Sequence, residues 1–302
     1  AERKRLETER TKKIADARKA VTDYEATLPA KVEEYSARTR SGEIPTRWHL
    51  VTPATVSASD KSKVEILPDG SVKGSGGERA LDYLITAETK LTNITGLMIE
   101  AVPDLSFNGG PGLSKDGNFV ITELQARWKS KSEGAEEKGI AFADAKATFT
   151  QKDFDVKRTF DGNLDGGNRG WAVHGTNHQL PQRAVYKFKE GMTGDGEKGA
   201  ILTVGVLCRF KSHPIGRYRI YVTSDADPLH FGIPGHVAEA LGKEPGQRSA
   251  EQTKALLSWV GENDADYQNR RWVAKGPFPG IPPDKKMEEL QKALKYAEIP
   301  IE

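Results

Sequence analysis

Two strand patterns, joined by a glycine- and proline-rich loop, occupy residues 93–128 and constrain the fold most strongly. Residues 97–102 alternate between two faces, as expected of a strand with at least one buried side. Residues 118–128 form a second strand pattern after a loop at residues 103–117. A loop of this length between two strands is unusual, and such loops often carry functional residues. We therefore expect a β-sheet protein in which this loop is of functional interest.

Short strand patterns separated by turn signals continue along most of the chain. The further candidates are residues 64–67, 82–87, 145–151, 183–189, 200–210 and 217–223. Asp69 and Gly70 form a pair typical of a tight hairpin turn. Residues 201–208 are largely apolar on both faces, which indicates a central strand. Since no helical segments alternate with these strands, the pattern predicts a mainly β protein built as an antiparallel sandwich.

A helical segment precedes the strands. Residues 2–26 lack glycine and proline and are rich in alanine, lysine, glutamate and arginine. The apolar positions that step by three and four are Ile14, Ala17, Val21, Tyr24 and Leu28. This narrow stripe suits one partner helix, and the alternative is a solvent-exposed helical spacer. Pro29 is expected to kink or end the helix, although the pattern continues at Val32 and Tyr35.

Helical patterns return after Pro234. Ser249 and Gln252 are spaced as a capping box for a helix expected to reach about Gln268. A last helix is predicted to begin after Asp284. Its apolar stripe consists of Met287, Leu290, Leu294 and Ala297. We expect this stripe to pair with the N-terminal helix as an antiparallel coiled coil.

Three regions follow from these patterns: an N-terminal helix at residues 1–45, a β-sandwich domain at residues 46–232, and a C-terminal helical segment at residues 233–302.

The chain has 302 residues, with 45 basic and 43 acidic side chains and a net charge of +2. This balance argues against nucleic acid as an obligate partner, which needs a dense basic surface. No apolar run approaches ~20 residues, so no membrane span is predicted. A single cysteine, Cys208, excludes an internal disulfide and is expected to be a buried thiol.

Several segments together resemble a known pattern. The segments are DGSVKGSG (69–76), ITGLMIEAVPD (94–104), GGPGLSKDGNFVITEL (109–124), FDGNLDGGNRGWAV (160–173) and HPIGRYRIYVTSD (213–225). They resemble the middle region of large planctomycete-type surface proteins that also carry cytochrome-c-like domains. The resemblance implies an extracytoplasmic, helix-flanked β module, excised from a longer protein, with neighbouring domains as partners. The haem signature Cys-x-x-Cys-His is absent, so no c-type haem is expected.

A second resemblance concerns the sandwich. Residues 120–124 (VITEL) resemble the closing strand of galactose-binding-like, discoidin-type domains, and residues 160–171 (FDGNLDGGNRGW) resemble the segment near their start. In this chain the segment that resembles the closing strand precedes the one that resembles the start of the domain, and a circular permutation explains this reversed order. The resemblance implies a jelly-roll sandwich.

The same resemblance implies a structural calcium ion held by Glu123, Asp161 and Asn163, since oxygen ligands suit calcium. Leu164 and Asp165 depart from the usual pattern of that loop. The alternative is that Asp161 caps its own turn while Glu123 pairs with a base such as Arg169.

A strand pattern at residues 217–223 places Arg217, Arg219 and Tyr221 on one face. Two arginines and an aromatic ring at this spacing suit acidic groups of a ligand, including a sulfated sugar, and the alternative is a set of cross-strand salt bridges. Trp128 is a candidate for stacking on a sugar ring. Trp171 shares that property, but its motif favours a core position.

His174 and His178 are candidate ligand-contacting residues of a loop, because Gly175 between them and the lack of a nearby cysteine disfavour a zinc site. We identify no catalytic constellation: Ser, His and Asp occur without a G-x-S-x-G elbow, and no P-loop order is present. The expected function is a non-catalytic module that binds a polysaccharide or other glycan. The alternative is a structural spacer or docking module, with an enzyme as the third choice.

Overall fold

The structure is a computed structural model that describes residues 2–42, 47–75, 80–175, 179–210 and 212–276, together with Phe278 and Glu289. Fifteen strands and five α-helices lie in these parts of the chain. None of the described helices is long and apolar enough to cross a membrane.

Eight strands form the larger sheet. They are β1 (Arg47–Leu50), β3 (Val64–Ile66), β4 (Val72–Gly74), β6 (Ile94–Ala101), β10 (Phe142–Ala147), β12 (Gln182–Met192), β14 (Arg217–Thr223) and β15 (Ile233–Pro234). The main order is β10-β12-β6-β14-β1-β15, and the β3–β4 hairpin joins at β14. All pairs are antiparallel except β1 with β15. Gly70 takes φ +74° in the hairpin loop, as the sequence predicts for this turn.

Five strands form the smaller sheet. They are β2 (Pro53–Ala58), β5 (Leu81–Thr89), β8 (Glu123–Ser130), β9 (Lys138–Gly139) and β13 (Ala200–Cys208), in the order β2-β5-β13-β8-β9. The central position of β13 was predicted from its two apolar faces. A separate short pair joins β7 (Val120–Ile121) to β11 (Trp171–Ala172). The strand predicted at residues 118–128 is therefore interrupted at Thr122, whose hydroxyl donates to the carbonyl of Leu207 at 3.0 Å.

The two sheets face each other across one hydrophobic core. Alternate residues of the central strands, such as Ile99 of β6 and Val204 of β13, are fully buried in it. The rings of Tyr83 and Tyr218, one from each sheet, meet edge to face at 5.5 Å. Each large side chain buried in this way contributes about 1.5–3 kcal/mol. The described residues thus form an antiparallel β-sandwich. The side chain of Cys208 is buried, as the sequence predicts.

Five helices flank the sandwich in sequence. They are α1 (Glu2–Glu25), α2 (Leu28–Arg40), α3 (Gly235–Gly242), α4 (Ala250–Glu262) and α5 (Ala265–Lys275). Pro29 lies in the first turn of α2, where a missing N–H is tolerated, so the predicted break falls at that point. The capping box of Ser249 and Gln252 begins α4 as predicted. The helix predicted to reach Gln268 is two helices, because Asp264 accepts from the Tyr267 amide at 2.8 Å and begins α5.

The helices pack mainly on one another. Leu28 and Val32 of α2 are buried with Leu241 of α3 and Leu256 of α4. At the end of α1, the ring of Tyr24 stacks on that of Tyr267 at 6.2 Å. The partner stripe predicted within residues 284–302 lies outside the described residues, apart from Glu289, so the coiled-coil pairing stays a prediction.

Candidate ligand-binding cleft

A cleft of about 790 Å³ opens where one end of the larger sheet meets the helices. Arg217 of β14 and Asp104 of the loop after β6 form its sheet side. Lys254 of α4 and both Tyr267 and Trp272 of α5 form its helical side. Clefts of roughly 300–1,000 Å³ are the usual size for small-ligand sites. We take this cleft as the candidate site.

The glycine-rich loop at residues 103–117 shapes one wall. Asp104 begins a short 3-10 turn (Leu105–Phe107) by accepting from the Ser106 amide at 2.8 Å. Gly109 follows with φ +79°, and a Cβ there would come within 2.7 Å of the Trp272 ring. The indole therefore lies directly on the backbone of the loop, and only glycine allows both the backbone conformation and this approach.

A buried carboxylate lies on the face of the larger sheet that bears Arg219. Glu100 is 2% exposed and accepts from Arg183 Nε at 2.9 Å, Arg219 Nη1 at 3.1 Å and the Tyr221 hydroxyl at 2.9 Å. Burial acts to raise the pKa of Glu100, but the charges of Arg183 and Arg219 and the Tyr221 hydrogen bond outweigh it, so the pKa lies below its ordinary value. Glu100 is therefore ionised and fully coordinated by donors.

The same network joins the sheet to the helices. Arg219 also donates to Glu262 of α4 at 3.0 Å and to Asp69 at 2.6 Å. Arg217 donates to Asp69 at 2.6 Å and contacts Asp104 at 3.5 Å. Since these contacts occupy the guanidinium of Arg219, which is 7% exposed, it is not available to a ligand.

The predicted ligand face of β14 is thus arranged as ion pairs, in line with the second interpretation of its sequence. Tyr221 is buried with its hydroxyl on Glu100. Arg217 is half-buried and lines the cleft. Of the three predicted residues, Arg217 alone reaches the candidate site.

The other predicted ligand residues lie elsewhere. Trp128 is 4% exposed and belongs to the core between the sheets, so its ring cannot stack on a sugar in this conformation. Trp171 is also buried and donates to the Phe149 carbonyl at 2.9 Å. His174 is exposed, with Nδ1 3.2 Å from a carboxylate oxygen of Asp116, and it does not line the cleft. His178 lies outside the described residues.

The residues predicted to hold calcium are close together. Glu123 Oε1 accepts from the Gly162 amide at 3.2 Å, and Asn163 Oδ1 accepts from the Asp165 amide at 2.9 Å. Asp161 accepts from the Asn163 amide at 3.0 Å and forms an ion pair with Arg169. The two resembling segments also pair through β7 and β11, so they are adjacent, and the circular permutation stays a prediction.

These three side chains do not form a calcium shell in this arrangement. The guanidinium of Arg169, itself 7% exposed, already occupies the Asp161 carboxylate and donates to the Arg158 carbonyl at 3.1 Å. Burial, with the charge of Asp161 adding to it, raises the pKa of Glu123 to about 7, so this carboxyl is partly neutral at pH 7. Within the described chain, no group of three or more His, Cys, Asp or Glu side chains converges as a metal site. Calcium stays a prediction, with Arg169 as the competing cation.

Sequence reasoning missed most of the cleft. The residues Tyr267, Arg271 and Trp272 occur within six positions of α5, and that aromatic and basic cluster was the available signal. Their partners in the cleft, such as Asp104 and Gln179, are distant in sequence, so the pattern alone does not bring them together.

Comparisons with known proteins give no family assignment. No family model matches the chain, and no curated protein matches its sequence. Among solved structures, it is similar to the carbohydrate-binding module TmCBM61 in complex with β-1,4-galactotriose, at 10% identity over 56% of this chain and 83% of that one, with a TM-score of 0.22. It is also similar to the CBM32-1, CBM32-2 and M60 catalytic domains of Clostridium perfringens ZmpB, at 8% identity over 74% of this chain and 20% of that one, with a TM-score of 0.27.

Neither structure is described as a planctomycete or cytochrome-c-containing protein, and that resemblance stays a prediction.

Proposed function

We propose that this protein is a carbohydrate-binding-type module and that the cleft holds the sugar. The observation that carries the proposal is the combination of Trp272 and Tyr267 with polar side chains in one concavity. The C–H faces of a sugar pack on aromatic rings, while its hydroxyl groups need donors and acceptors. Gln179, Ser258 and Arg271 supply such groups along the same cleft.

The walls of the cleft are held in place without a ligand, which favours binding because little order is lost on association. The pair of Arg219 with Glu262 ties α4 to β14, at 3.0 Å. Trp272 rests on Gly109, and Lys275 Nζ lies 5.4 Å from the centre of its ring. The Trp272 side chain is therefore already fixed in position before a sugar enters the cleft.

The proposal includes the wider context that the sequence resemblances imply. The sandwich is taken as a galactose-binding-like jelly roll, without catalytic activity, within a larger extracytoplasmic protein. Its role is to hold that protein against a polysaccharide or glycan. Nucleic acid is not proposed as a partner, because the basic and acidic residues balance.

A glycan microarray followed by calorimetric titration tests the proposal. We expect binding of at least one glycan class, and we expect Trp272→Ala to weaken it by about tenfold because an aromatic side chain of the cleft is lost. Val273→Ala is the matched control, since Val273 is the next residue of α5, is 55% exposed and does not line the cleft. Silence of the array towards neutral, carboxylated and sulfated glycans alike contradicts the proposal.

One observation favours a structural spacer or docking module as the second candidate. The 24-residue helix α1 packs along α5, but its apolar stripe of Ile14, Ala17 and Val21 is only partly covered and α1 has no fully buried residue. A stripe of this kind suits a neighbouring helix or domain. Cross-linking within the parent protein is expected to join α1 to a neighbouring domain, and an absence of such links contradicts the docking role.

A further inference from the structure

The acidic side chains of the cleft are largely neutralised by the protein itself. Asp104 pairs with Lys73 at 2.9 Å and contacts Arg217 at 3.5 Å. Glu262 pairs with Arg219 at 3.0 Å. Since these carboxylates already have cations as partners, they contribute little net negative field to a ligand in the cleft.

Two basic side chains of the cleft are not neutralised in this way. Lys254 of α4 is exposed, and Arg271 of α5 is half-buried. In the described part of the chain, neither forms an ion pair with a carboxylate. Among the described residues, both cationic groups therefore lack a carboxylate partner and can meet one on a ligand in the cleft.

The position of Arg271 is set by neutral neighbours. Its Nη1 donates to Gln268 Oε1 at 3.3 Å, and its guanidinium lies 5.6 Å from the centre of the Tyr267 ring. These contacts hold the planar group in place and leave further N–H donors for a ligand. A guanidinium that is positioned in advance loses less conformational entropy when it binds an oxyanion.

One acidic residue opposes this pattern. Glu25, at the end of α1, accepts the Tyr267 hydroxyl at 2.6 Å and has no basic partner among the described residues. Its exposed carboxylate is well solvated, whereas Arg271 is partly withdrawn from water. Among the residues that the structure describes, the unpaired charges of the cleft are two cations and one carboxylate, so the balance is positive.

We propose that the sugar bound in this cleft carries an anionic group, a carboxylate or a sulfate, which is recognised by Lys254 and Arg271. This inference rests on the proposed function. Oxyanion groups accept charge-assisted hydrogen bonds from lysine and arginine, which are stronger than those of a neutral hydroxyl. The aromatic rings bind the sugar ring, and the two cations select among sugars.

The test compares matched oligosaccharides by calorimetric titration: a neutral galactose oligomer, its uronic-acid counterpart and its sulfated counterpart. We expect one acidic form to bind at least about tenfold more tightly than the neutral form at low salt. We expect 0.5 M salt to reduce this difference, because screening weakens charged contacts and spares neutral ones. The uronic-acid and sulfate arms distinguish the two sources of negative charge.

Substitutions locate the effect. Lys254→Gln and Arg271→Gln are expected to weaken acidic-sugar binding by about threefold to tenfold each, with little change for the neutral sugar. Lys129→Gln, on β8 of the smaller sheet, removes the same charge elsewhere and is expected to change neither. Equal or tighter binding of the neutral form by the unmodified protein overturns this inference but leaves the proposed function intact. No binding of any of the three sugars also overturns this inference, whereas the proposed function is contradicted only when the whole glycan array is silent.

Discussion

Replacing Glu100 with glutamine tests the ion network that joins the helices to the sheet. The carboxylate is buried between Arg183 and Arg219, and both donate to it. Glutamine keeps the shape of the side chain but removes its charge. The buried guanidinium of Arg219 and the half-buried one of Arg183 then lose their shared counter-charge, which makes the folded state less stable.

The expected magnitude follows from the contacts that remain. Removing one partner of a buried pair costs about 3–5 kcal/mol. Arg219 keeps Asp69 and Glu262, and Arg183 keeps Asn263 at 2.6 Å. We therefore expect a loss near the lower end, about 3 kcal/mol, which corresponds to a fall of on the order of 10 °C in the melting temperature.

Chemical denaturation measures this loss directly. The matched control is Glu137→Gln, which breaks an exposed pair with Arg127 at 3.5 Å and is expected to cost less than about 1 kcal/mol. If Glu100→Gln costs no more than this control, the network does not stabilise the fold, and the reasoning about the cleft wall is wrong.

The pH dependence gives a second readout with a definite sign. The pKa of Glu100 in the folded protein lies below its ordinary value of 4.5. Its contribution to stability is therefore fully present above about pH 4.5 and is lost as the pH falls through the lower folded pKa. The stability difference between the unmodified protein and Glu100→Gln is expected to shrink in acid, and a constant difference contradicts this assignment.

Three further predictions concern the cleft and the predicted calcium site. Gly109→Ala is expected to lower the melting temperature and weaken sugar binding, because an alanine is strained at φ +79° and its Cβ would collide with the Trp272 ring. Unchanged sugar binding would contradict the contact between Gly109 and Trp272. If Arg169 supplies the cation, calcium and a chelator give the same melting midpoint, and a higher midpoint in calcium restores the metal hypothesis. The pKa of Glu123 is raised to about 7 by burial, so stability is expected to fall from about pH 4.5 to 7. Glu123→Gln should flatten that fall, which melts at pH 5 and pH 8 can check.

The sequence predicted the strands better than the site, for a physical reason. Apolar alternation reports burial, and burial decides which residues form a sandwich core, as β13 shows. The period-two pattern of Arg217 and Arg219 is the same whether the arginines face a ligand or a carboxylate. Its partners Glu100 and Asp69 are 119 and 150 positions from Arg219, so only the folded chain distinguishes the two cases.

The cleft was not predicted for the same reason, because its residues are distant in sequence. Gly109 and Trp272 lie far apart in the chain and meet because α5 packs against the glycine-rich loop. The loop was expected to be of functional interest, but its partner helix was not foreseen. The break between α4 and α5 depends on the side chain of Asp264, and a continuous helix to Gln268 would have placed the aromatic residues differently.

Hydrogen exchange with and without the best glycan from the array tests the central claim most directly. Binding in the cleft predicts slower exchange at the amides of α5, Ala265–Lys275, and of the loop at residues 103–109. The β7–β11 pair is expected to exchange at the same rate in both samples. Protection confined to residues 160–172, with α5 unchanged, would contradict the claim that the cleft holds the sugar.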